Sequence, residues 1–338
     1  AVTGSVGKTT TKDILGCLLV DEVVVSRKSF NNDLGVPLTI LDGESAKYLV
    51  TEIGANNVGE IGPLSKLVRP DIAILTSIEK AHLEGFGNKE TVLQEKVKLL
   101  SAVHQNGYVI IPDTIDVSGF SFDATIIRVG KSKSADVRIL TGTDDCGFAT
   151  LEMNGEKVTL ALLGEHNALN AALAIVAASR ACNETTSSQW LQLASLASAP
   201  EGRLQKVEVG KITFIDDSYN ANPASMRAAL QTFSKLKASR KILILGDMLE
   251  LGDSSHAEHR ILISAIDKVG ADLVVLVGCA MEAAAAGTST AMYVQNADEL
   301  DSIITLLKPN DLVLLKGSRG LRLERIIDLF RETKVLEH

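Results

Sequence analysis

The first residues of the chain combine glycine, lysine and threonine at the spacing of a phosphate-binding loop. In the segment Thr3-Gly-Ser-Val-Gly-Lys-Thr-Thr10, two glycines flank a tight turn, and lysine and threonine follow at once. Glycines let backbone N–H groups converge on phosphate oxygens, and the N-terminus of the next helix adds further donors. Lys8 would then reach the β- and γ-phosphates of a nucleotide, and the Thr9 hydroxyl would bind Mg²⁺. The predicted nucleotide-binding residues are Gly4, Ser5, Val6, Gly7, Lys8, Thr9 and Thr10.

This loop departs from the usual G-x-x-x-x-G-K-[ST] pattern at its first position, where the chain has Val2. The alternative interpretation is a glycine-rich turn in front of an ordinary helix. A phosphate-binding loop normally follows a buried strand, and only Ala1 and Val2 precede the turn. We therefore expect the sequence to begin within a longer protein and to lack at least one central strand.

Three more residues could take part in metal binding or catalysis: Glu52, His82 and Lys96. Glu52 is near the end of the run Tyr48–Ile53, where a carboxylate is costly unless it binds a metal or a partner. Beside a phosphate loop it is typical of an Mg²⁺ ligand. The alternative interpretation is a surface glutamate at a frayed strand end. His82 alone is more consistent with a loop histidine that has ordinary hydrogen bonds. Lys96, on the predicted helix 89–100, would normally lie on a solvated face.

The second half of the chain carries three polar segments after predicted strands. They are Asp216-Asp-Ser-Tyr-Asn-Ala-Asn-Pro223, Gly246-Asp-Met-Leu-Glu-Leu-Gly-Asp253 and Lys316-Gly-Ser-Arg-Gly320. The carboxyl ends of parallel strands share one edge of a sheet, so these segments predict a second binding face. Turn-forming residues account for part of each segment, which is the alternative interpretation.

The order of apolar runs and helical periodicity predicts an α/β protein. A central domain, residues 1–200, would contain the phosphate loop and a mostly parallel sheet. Short runs between residues 108 and 162, with Asn154-Gly155 as a hairpin signal, predict a small antiparallel extension. Residues 201–338 predict a Rossmann-like α/β domain with strands at 212–216, 241–245, 273–277 and 312–316, and helices at 225–236, 257–269 and 297–307. Residues 31–37 are predicted to form a loop.

Composition limits the classes of function. The 338 residues carry a net charge of −8, which argues against a broad nucleic-acid-binding surface. No apolar run approaches the length of about 20 residues that a membrane-spanning helix needs. Four cysteines lie far apart without C-x-x-C spacing, which is typical of reduced thiols in a cytoplasmic protein. In such an acidic chain, phosphate would therefore bind at a small site such as the loop and not over a broad basic surface.

Taken together, the motifs resemble the Mur ligase family, the ATP-dependent amide-forming enzymes of peptidoglycan synthesis. The matching segments follow the order of the family along the whole chain: residues 3–10, 31–38, 52–61, 81–87, 164–170, 202–205, 216–223, 246–252 and 316–319. Within the family, Asp216–Pro223 and the segment His82-Leu-Glu-Gly-Phe-Gly87 favour the type that adds D-Ala-D-Ala to UDP-MurNAc-tripeptide. From the resemblance we expect the family's N-terminal domain, which binds the UDP part of the substrate, to lie outside this sequence.

The resemblance implies a role for each matching residue. Lys8 and Thr9 would serve the ATP phosphates and a first Mg²⁺, with Glu52 on that metal, and His82 would help to hold a second Mg²⁺. Lys96 aligns with a family lysine that can be carbamylated and then binds metal. Nucleotide contacts are implied for Asn167, Arg203 and Asp217. Contacts with the other substrates or the phosphates are implied for Asn31, Asn32, Tyr219, Asn220, Asn222, Lys316 and Arg319.

The resemblance also implies a reaction and its partners. A substrate carboxylate would attack the γ-phosphate of ATP, and the amine of D-Ala-D-Ala would displace phosphate from the acyl phosphate. The expected partners are ATP, UDP-MurNAc-tripeptide and D-Ala-D-Ala, with no nucleic acid and no membrane span, in a monomeric cytoplasmic protein. The alternatives are a sister ligase that uses another amino acid or a glutamyl substrate, and a relative that binds ATP without ligating.

Overall fold

The computed structural model describes residues 1–20, 23–80, 83–184, 188–285, 291–295 and 299–336. The chain divides into two compact units. The first comprises Ala1–Asp144 and Phe148–Ser198, and the second comprises Asp145–Gly147 and Ala199–His338. Among the described residues, no helix is long and apolar enough to cross a membrane.

The first unit alternates strands and helices before it turns to consecutive strands. Its strands are β1 (Val2–Thr3), β2 (Val23–Val25), β3 (Tyr48–Val50), β4 (Ile72–Leu75), β5 (Tyr108–Pro112), β6 (Thr125–Gly130), β7 (Val137–Thr143), β8 (Phe148–Met153) and β9 (Glu156–Leu163). Its helices are α1 (Lys8–Leu18), α2 (Gly35–Asp42), α3 (Ile61–Val68), α4 (Leu83–Phe86), α5 (Lys89–Leu100), α6 (His166–Ala181) and α7 (Ser188–Ser195).

The main sheet of this unit has the strand order β1-β4-β5-β6-β7-β8-β9. It is parallel from β1 to β7 and antiparallel from β7 to β9. The parallel pair β2-β3 joins it through a bridge between Val2 and Glu52. Asn154 and Gly155, with φ of 54° and 82°, form the left-handed turn of the β8–β9 hairpin. The predicted parallel sheet with a small antiparallel extension is therefore confirmed.

The second unit is built around a six-stranded sheet of order β10-β11-β15-β12-β13-β14. Its strands are β10 (Gln205–Val209), β11 (Ile212–Asp217), β12 (Arg240–Gly246), β13 (Leu273–Val277), β14 (Ala291–Val294) and β15 (Asp311–Lys316). Its helices are α8 (Pro223–Lys235), α9 (Ser255–Val269), α10 (Glu282–Ala285), α11 (Leu300–Ile304) and α12 (Arg325–Leu336). All neighbouring strands except β10 and β11 run parallel, which confirms the Rossmann-like prediction.

Apolar runs in the central strands account for the core of each unit. Ala73, Leu75, Val109 and Ile111 in the first unit are fully buried, because helices pack on the sheet they belong to. In the second unit, Phe214 packs edge-on against Phe330 of α12, with ring centroids 5.9 Å apart. Such near-continuous apolar strands fix the sheet, and polar residues at the strand ends then lie at its edges.

Two predicted elements differ from the structure, and two strands of the second unit were not predicted. The segment 31–37 is a loop only in its first half, because α2 begins at Gly35; Pro37 fits there because the first turn of a helix needs no partner for its N–H. The predicted helix at 297–307 is shorter, Leu300–Ile304, with residues 297 and 298 outside the described chain. The edge strands β10 and β14 lack the long apolar runs on which the four predicted strands were based.

Candidate active site

The phosphate loop connects β1 to α1. Gly7 lies at the N-cap of α1 with φ of 89°, and its carbonyl accepts the N–H of Thr11 at 2.9 Å. A Cβ on Gly7 would lie 2.5 Å from Oδ1 of Asn170, and one on Gly4 would lie 1.9 Å from Oγ1 of Thr76. Both positions therefore require glycine, as the sequence pattern predicts.

Residues that directly follow β4 form hydrogen bonds with the phosphate loop. Oγ of Ser77 accepts the N–H of Val6 at 2.9 Å, and Oγ1 of Thr76 donates to the Val6 carbonyl at 2.6 Å. The Ser5 hydroxyl accepts the N–H of Glu79 at 2.9 Å. Sequence reasoning missed Thr76 and Ser77, although polar residues directly after an apolar strand are a signal that could have identified them.

Lys8 and two asparagines complete the environment of the loop. Nζ of Lys8 donates to the carbonyl of Gly4 at 2.9 Å, so the ammonium group folds back over the turn. Asn167, predicted to contact nucleotide, is buried in the first turn of α6; its Nδ2 donates to the Leu163 carbonyl and its Oδ1 accepts from Asn170. Asn170 in turn lies against Gly7, so Asn167 is connected to the loop through Asn170.

Thr9 and Glu52 meet at the carboxyl edge of the sheet. Oγ1 of Thr9 donates to Oε2 of Glu52 at 2.8 Å, and Nδ2 of Asn31 donates to Oε1 at 2.8 Å. Glu52 is 1% exposed. Thr9 also lies near Ser29, with 3.1 Å between the hydroxyl oxygens. The structure thus brings together three residues that the sequence placed in the site: Thr9, Asn31 and Glu52.

Asn32 follows a different pattern. Its Oδ1 accepts the N–H groups of Leu34 at 3.3 Å and Gly35 at 2.9 Å, at the start of α2. This is the local bonding of an asparagine that begins a helix. A substrate contact by Asn32 stays a prediction, whereas its role in starting α2 is visible in the fold.

Lys96 is buried, although helical periodicity alone suggests a solvated face. It lies on α5 and is 2% exposed. Burial, with the positive charge of Lys8 nearby, lowers the pKa of Lys96 from 10.5 to about 7, against the opposing charges of Glu95 and Glu52. These electrostatic interactions place Lys96 in the neighbourhood of the phosphate loop and the Glu52 carboxylate. A buried lysine with this pKa is partly neutral at physiological pH and therefore nucleophilic.

The donors around Glu52 fit a hard divalent cation. Adjacent ligands of octahedral Mg²⁺, with bonds of about 2.1 Å, lie about 3 Å apart, close to the Thr9–Glu52 separation. Within the described chain, the groups that hydrogen-bond to the Glu52 carboxylate are neutral, so its charge favours a cation. No cluster of three His, Cys, Asp or Glu side chains suited to a metal was found there. His82, predicted on a second metal, lies outside the described residues.

The second unit contains a buried ion pair at the ends of β11 and β15. Nζ of Lys316 lies 2.7 Å from Oδ2 of Asp217 and donates to the Asn220 carbonyl at 2.9 Å. Oδ1 of Asp217 accepts the N–H of Leu204 at 3.1 Å. Burial lowers the pKa of Lys316, and the charge of Asp217 opposes that shift. The pair joins the predicted Asp216–Pro223 and Lys316–Gly320 segments.

Two guanidinium groups lie close to one aromatic ring in the same unit. The Arg203 guanidinium is 4.2 Å from the centroid of the Tyr219 ring, and that of Arg319 is 5.8 Å from it. Arg319 also pairs with Glu324 at 2.8 Å. The structure therefore brings the predicted residues Arg203, Tyr219 and Arg319 together, as a cationic cluster suited to an anion.

Other polar residues of the same edge have structural partners. Asn222 is the N-cap of α8; its Oδ1 accepts the Ser225 N–H, and Ser225 Oγ accepts the Asn222 N–H. This capping box, followed by Pro223, satisfies the helix start. Oδ1 of Asn220 accepts the neighbouring Ala221 N–H at 2.8 Å. Burial raises the pKa of Asp216, opposed by hydrogen bonds from Ser218.

His259 fixes the segment after β12 and was missed by sequence reasoning. It is fully buried on α9; its Nε2 accepts the Met248 N–H at 2.9 Å and its Nδ1 donates to the Ser255 carbonyl at 2.7 Å. The two contacts define a neutral ring protonated on Nδ1. In the same segment, the N–H of Leu249 donates to Oγ of Ser318 at 2.9 Å. Two of the predicted polar segments are thereby tied together.

The first unit has the loop, helix and polar strand ends of a P-loop nucleotide-binding domain, and the second is a Rossmann-like α/β domain. Residues 2–178 match the Mur ligase middle domain, and residues 202–319 match the Mur ligase glutamate ligase domain. The UDP-N-acetylmuramoyl-tripeptide–D-alanyl-D-alanine ligase of Haemophilus influenzae is 34% identical, over 97% of this chain and 75% of that protein. The chain belongs to the Mur ligase family.

Solved structures agree with this assignment. MurF from Acinetobacter baumannii has a TM-score of 0.86 at 32% identity, covering 98% of this chain and 76% of that one. MurF ligase from Thermotoga maritima, determined in complex with ADP, has a TM-score of 0.85 at 26% identity, covering 100% of this chain and 80% of that one.

Proposed function

We propose that this chain is an ATP-dependent ligase that joins D-Ala-D-Ala to UDP-MurNAc-tripeptide in peptidoglycan synthesis. The observation that carries the proposal is the similarity to a UDP-N-acetylmuramoyl-tripeptide–D-alanyl-D-alanine ligase over 97% of the chain. The arrangement of Lys8, Thr9 and Glu52 at a phosphate loop supports the ATP-dependent half of the reaction.

In the first step, a substrate carboxylate oxygen attacks the γ-phosphorus of ATP, and the bond to the β,γ-bridging oxygen breaks to release ADP. The backbone N–H groups of the loop and the Lys8 ammonium would hold the phosphates and offset their charge. In the second step, the D-Ala-D-Ala amine attacks the acyl carbon, loses a proton and displaces inorganic phosphate. The products are the amide, ADP and phosphate.

We propose that Mg²⁺ binds at Thr9 and Glu52. The hydroxyl and carboxylate oxygens are the donors that this ion prefers, and their spacing fits its coordination. When bound, Mg²⁺ supplies positive charge against the phosphate oxygens of ATP. The contribution of His82 to a second ion remains a prediction.

Lys96 is proposed to act as a carbamate. The neutral amine, formed when the ammonium gives one proton to solvent, would attack the carbon of CO₂. The N–C bond forms as one C–O π bond breaks, and a second proton goes to solvent, so the carbamate carries a negative charge where the protonated lysine carried a positive one. Its burial and its pKa of about 7 favour that reaction, since the neutral form is the nucleophile. The new carboxylate would provide a further oxygen ligand for a metal close to Glu52.

In the second unit, Arg203, Tyr219 and Arg319 are proposed to bind an anionic group of the substrates. The Asp217–Lys316 pair is proposed to fix the segment that carries Tyr219, since Lys316 bonds to the Asn220 carbonyl. Asn222 already caps α8, so its contribution to substrate binding would be indirect.

The test measures ATP-dependent phosphate release with UDP-MurNAc-tripeptide, with and without D-Ala-D-Ala. We expect release only when both are present, and none from Lys8→Ala. Lys133→Ala, at an exposed position of the same unit, is the matched control and should behave as wild type. L-Amino acids or glutamate in place of D-Ala-D-Ala test the sister-ligase alternative.

ATP binding without release under any of these conditions would contradict ligase activity for this chain and favour a nucleotide-binding relative. The monomeric state and the cytoplasmic location stay predictions; light scattering after size exclusion and cell fractionation measure them.

A further inference from the structure

Lys12 is a buried lysine that the proposed reaction does not use. It lies on α1 four residues after Lys8, and its side chain is 2% exposed. Its Nζ donates to the carbonyls of Ser26 at 2.8 Å and Lys28 at 2.7 Å, and lies 2.8 Å from Oδ1 of Asp13. An ammonium group has three N–H donors, and three oxygens surround this one.

The two carbonyls belong to the segment that follows β2. Between them the chain reverses at Lys28, which has φ of 49°, a left-handed conformation that costs a non-glycine residue about 1 kcal/mol. A conformation of this kind persists only where surrounding contacts impose it. The Lys12 ammonium makes such contacts, since it bonds to carbonyls on both sides of the reversal.

This segment, Ser26–Ser29, contacts both residues of the proposed metal site. Oγ of Ser26 accepts the N–H of Glu52 at 3.0 Å, and Oγ of Ser29 lies 3.1 Å from Oγ1 of Thr9. A shift of the segment would therefore move the Glu52 backbone and the Thr9 hydroxyl together. No comparable effect is expected on the phosphate loop itself, because Ser77 accepts the Val6 N–H and Thr76 donates to the Val6 carbonyl.

We infer that Lys12 is a positioning residue: by bonding to the Ser26 and Lys28 carbonyls it orders the Ser26–Ser29 segment, and through it the Thr9–Glu52 pair, for Mg²⁺. This inference rests on the proposed Mg²⁺ site. The Lys12 ammonium does not itself contact nucleotide, because it is buried and its donors already meet protein oxygens.

The experiment compares wild type with Lys12→Met, which keeps the unbranched length of the side chain but has no N–H donor. Binding of a fluorescent ATP analogue is titrated in EDTA and then with increasing Mg²⁺, well below the melting temperature of each protein. We expect unchanged affinity in EDTA and an Mg²⁺ midpoint raised by about tenfold, the effect usual for groups that orient metal ligands. With Mn²⁺ in place of Mg²⁺, electron paramagnetic resonance measures directly how tightly the site binds a divalent ion.

Two controls separate positioning from general loss of stability. Asp13→Asn keeps both carbonyl contacts and should leave the Mg²⁺ midpoint unchanged. Lys241→Met removes a lysine that donates to the Ser234 carbonyl at 2.8 Å in the second unit, so it should lower the melting temperature without moving the midpoint. Lys12→Gln retains an amide donor and should give an intermediate midpoint; it is also the test if Lys12→Met does not fold.

An unchanged Mg²⁺ midpoint in a folded Lys12 variant, with normal Mg²⁺ dependence in wild type, would overturn the inference alone. Nucleotide binding by wild type that does not respond to Mg²⁺ would instead contradict the proposed metal site, and the inference with it.

Discussion

The Thr9 hydroxyl donates a hydrogen bond of 2.8 Å to the Glu52 carboxylate, although 43 residues separate them in the chain. The contact exists because β1 lies next to the end of β3, joined by the Val2–Glu52 bridge. The helix that starts at the phosphate loop therefore begins beside a carboxylate from another strand. Two potential metal-ligand oxygens, the Thr9 hydroxyl at the start of α1 and the Glu52 carboxylate after β3, thus lie together where we expect the β- and γ-phosphates.

Glu52→Gln tests this pair. The amide has nearly the same shape but no charge, so we expect Mg²⁺ affinity in the presence of nucleotide to fall by at least about tenfold. Affinity for nucleotide in EDTA should be unchanged, because the loop N–H groups and Lys8 remain. Calorimetric titration measures both. Glu44→Gln, at an exposed position, should match wild type; equal losses in the two variants would contradict the assignment.

Lys96 should make activity depend on dissolved CO₂. We expect wild type to lose phosphate release after exhaustive degassing at neutral pH and to regain it with bicarbonate, because the carbamate forms from the neutral amine. Lys96→Ala should be inactive under both conditions. Lys89→Ala changes an exposed lysine of the same helix and should respond to bicarbonate as wild type does. Activity of the wild type that is indifferent to bicarbonate would contradict carbamylation.

Lys316 should make stability depend on pH in the alkaline range. Because burial lowers its pKa, the unfolded chain keeps a proton on this lysine at pH values where the folded chain has lost it. The free energy of unfolding should therefore rise with pH, up to about pH 10.5, by more in wild type than in Lys316→Met. Urea unfolding of both proteins between about pH 7 and 10 measures the difference. Parallel pH profiles would refute the predicted shift.

His259 should contribute to stability through its two hydrogen bonds. His259→Phe leaves the buried N–H of Met248 without its acceptor, which is expected to lower the free energy of unfolding by about 2 kcal/mol. His256→Phe, one turn away at an exposed position, should change it little. Nitrogen chemical shifts of the wild-type ring should report protonation on Nδ1; protonation on Nε2 would show the assigned contacts to be wrong.

The sequence predicted the fold class because its signals were local. Glycines at 4 and 7, apolar runs in β4 and β11, and Asn154-Gly155 each specify backbone geometry within a few residues, and the structure agrees at each of them. Element ends were less predictable. The helix α2 begins at Gly35 because Asn32 supplies an acceptor to its first N–H groups, and that bonding is not evident from apolar periodicity.

The remainder of the site depends on contacts between distant segments. Lys96 occupies a position that looks solvated from its own helix, yet it is buried by the packing of α5 in the unit. Thr76 and Ser77 contact the phosphate loop only because β4 lies beside β1. The sequence alone does not show that Lys12 is buried and bonds to the Ser26 and Lys28 carbonyls. Pairings of this kind require the three-dimensional arrangement.

The close approach of Gly7 to Asn170 has an evolutionary consequence. Gly7→Ala would carry two separate penalties, a strained left-handed backbone and a Cβ 2.5 Å from the Asn170 amide oxygen. Asn170→Ala removes the second penalty and leaves the first, so the two substitutions should show positive but incomplete epistasis. The start of α6 therefore restricts which mutations at the phosphate loop selection can accept, and in what order they can arise.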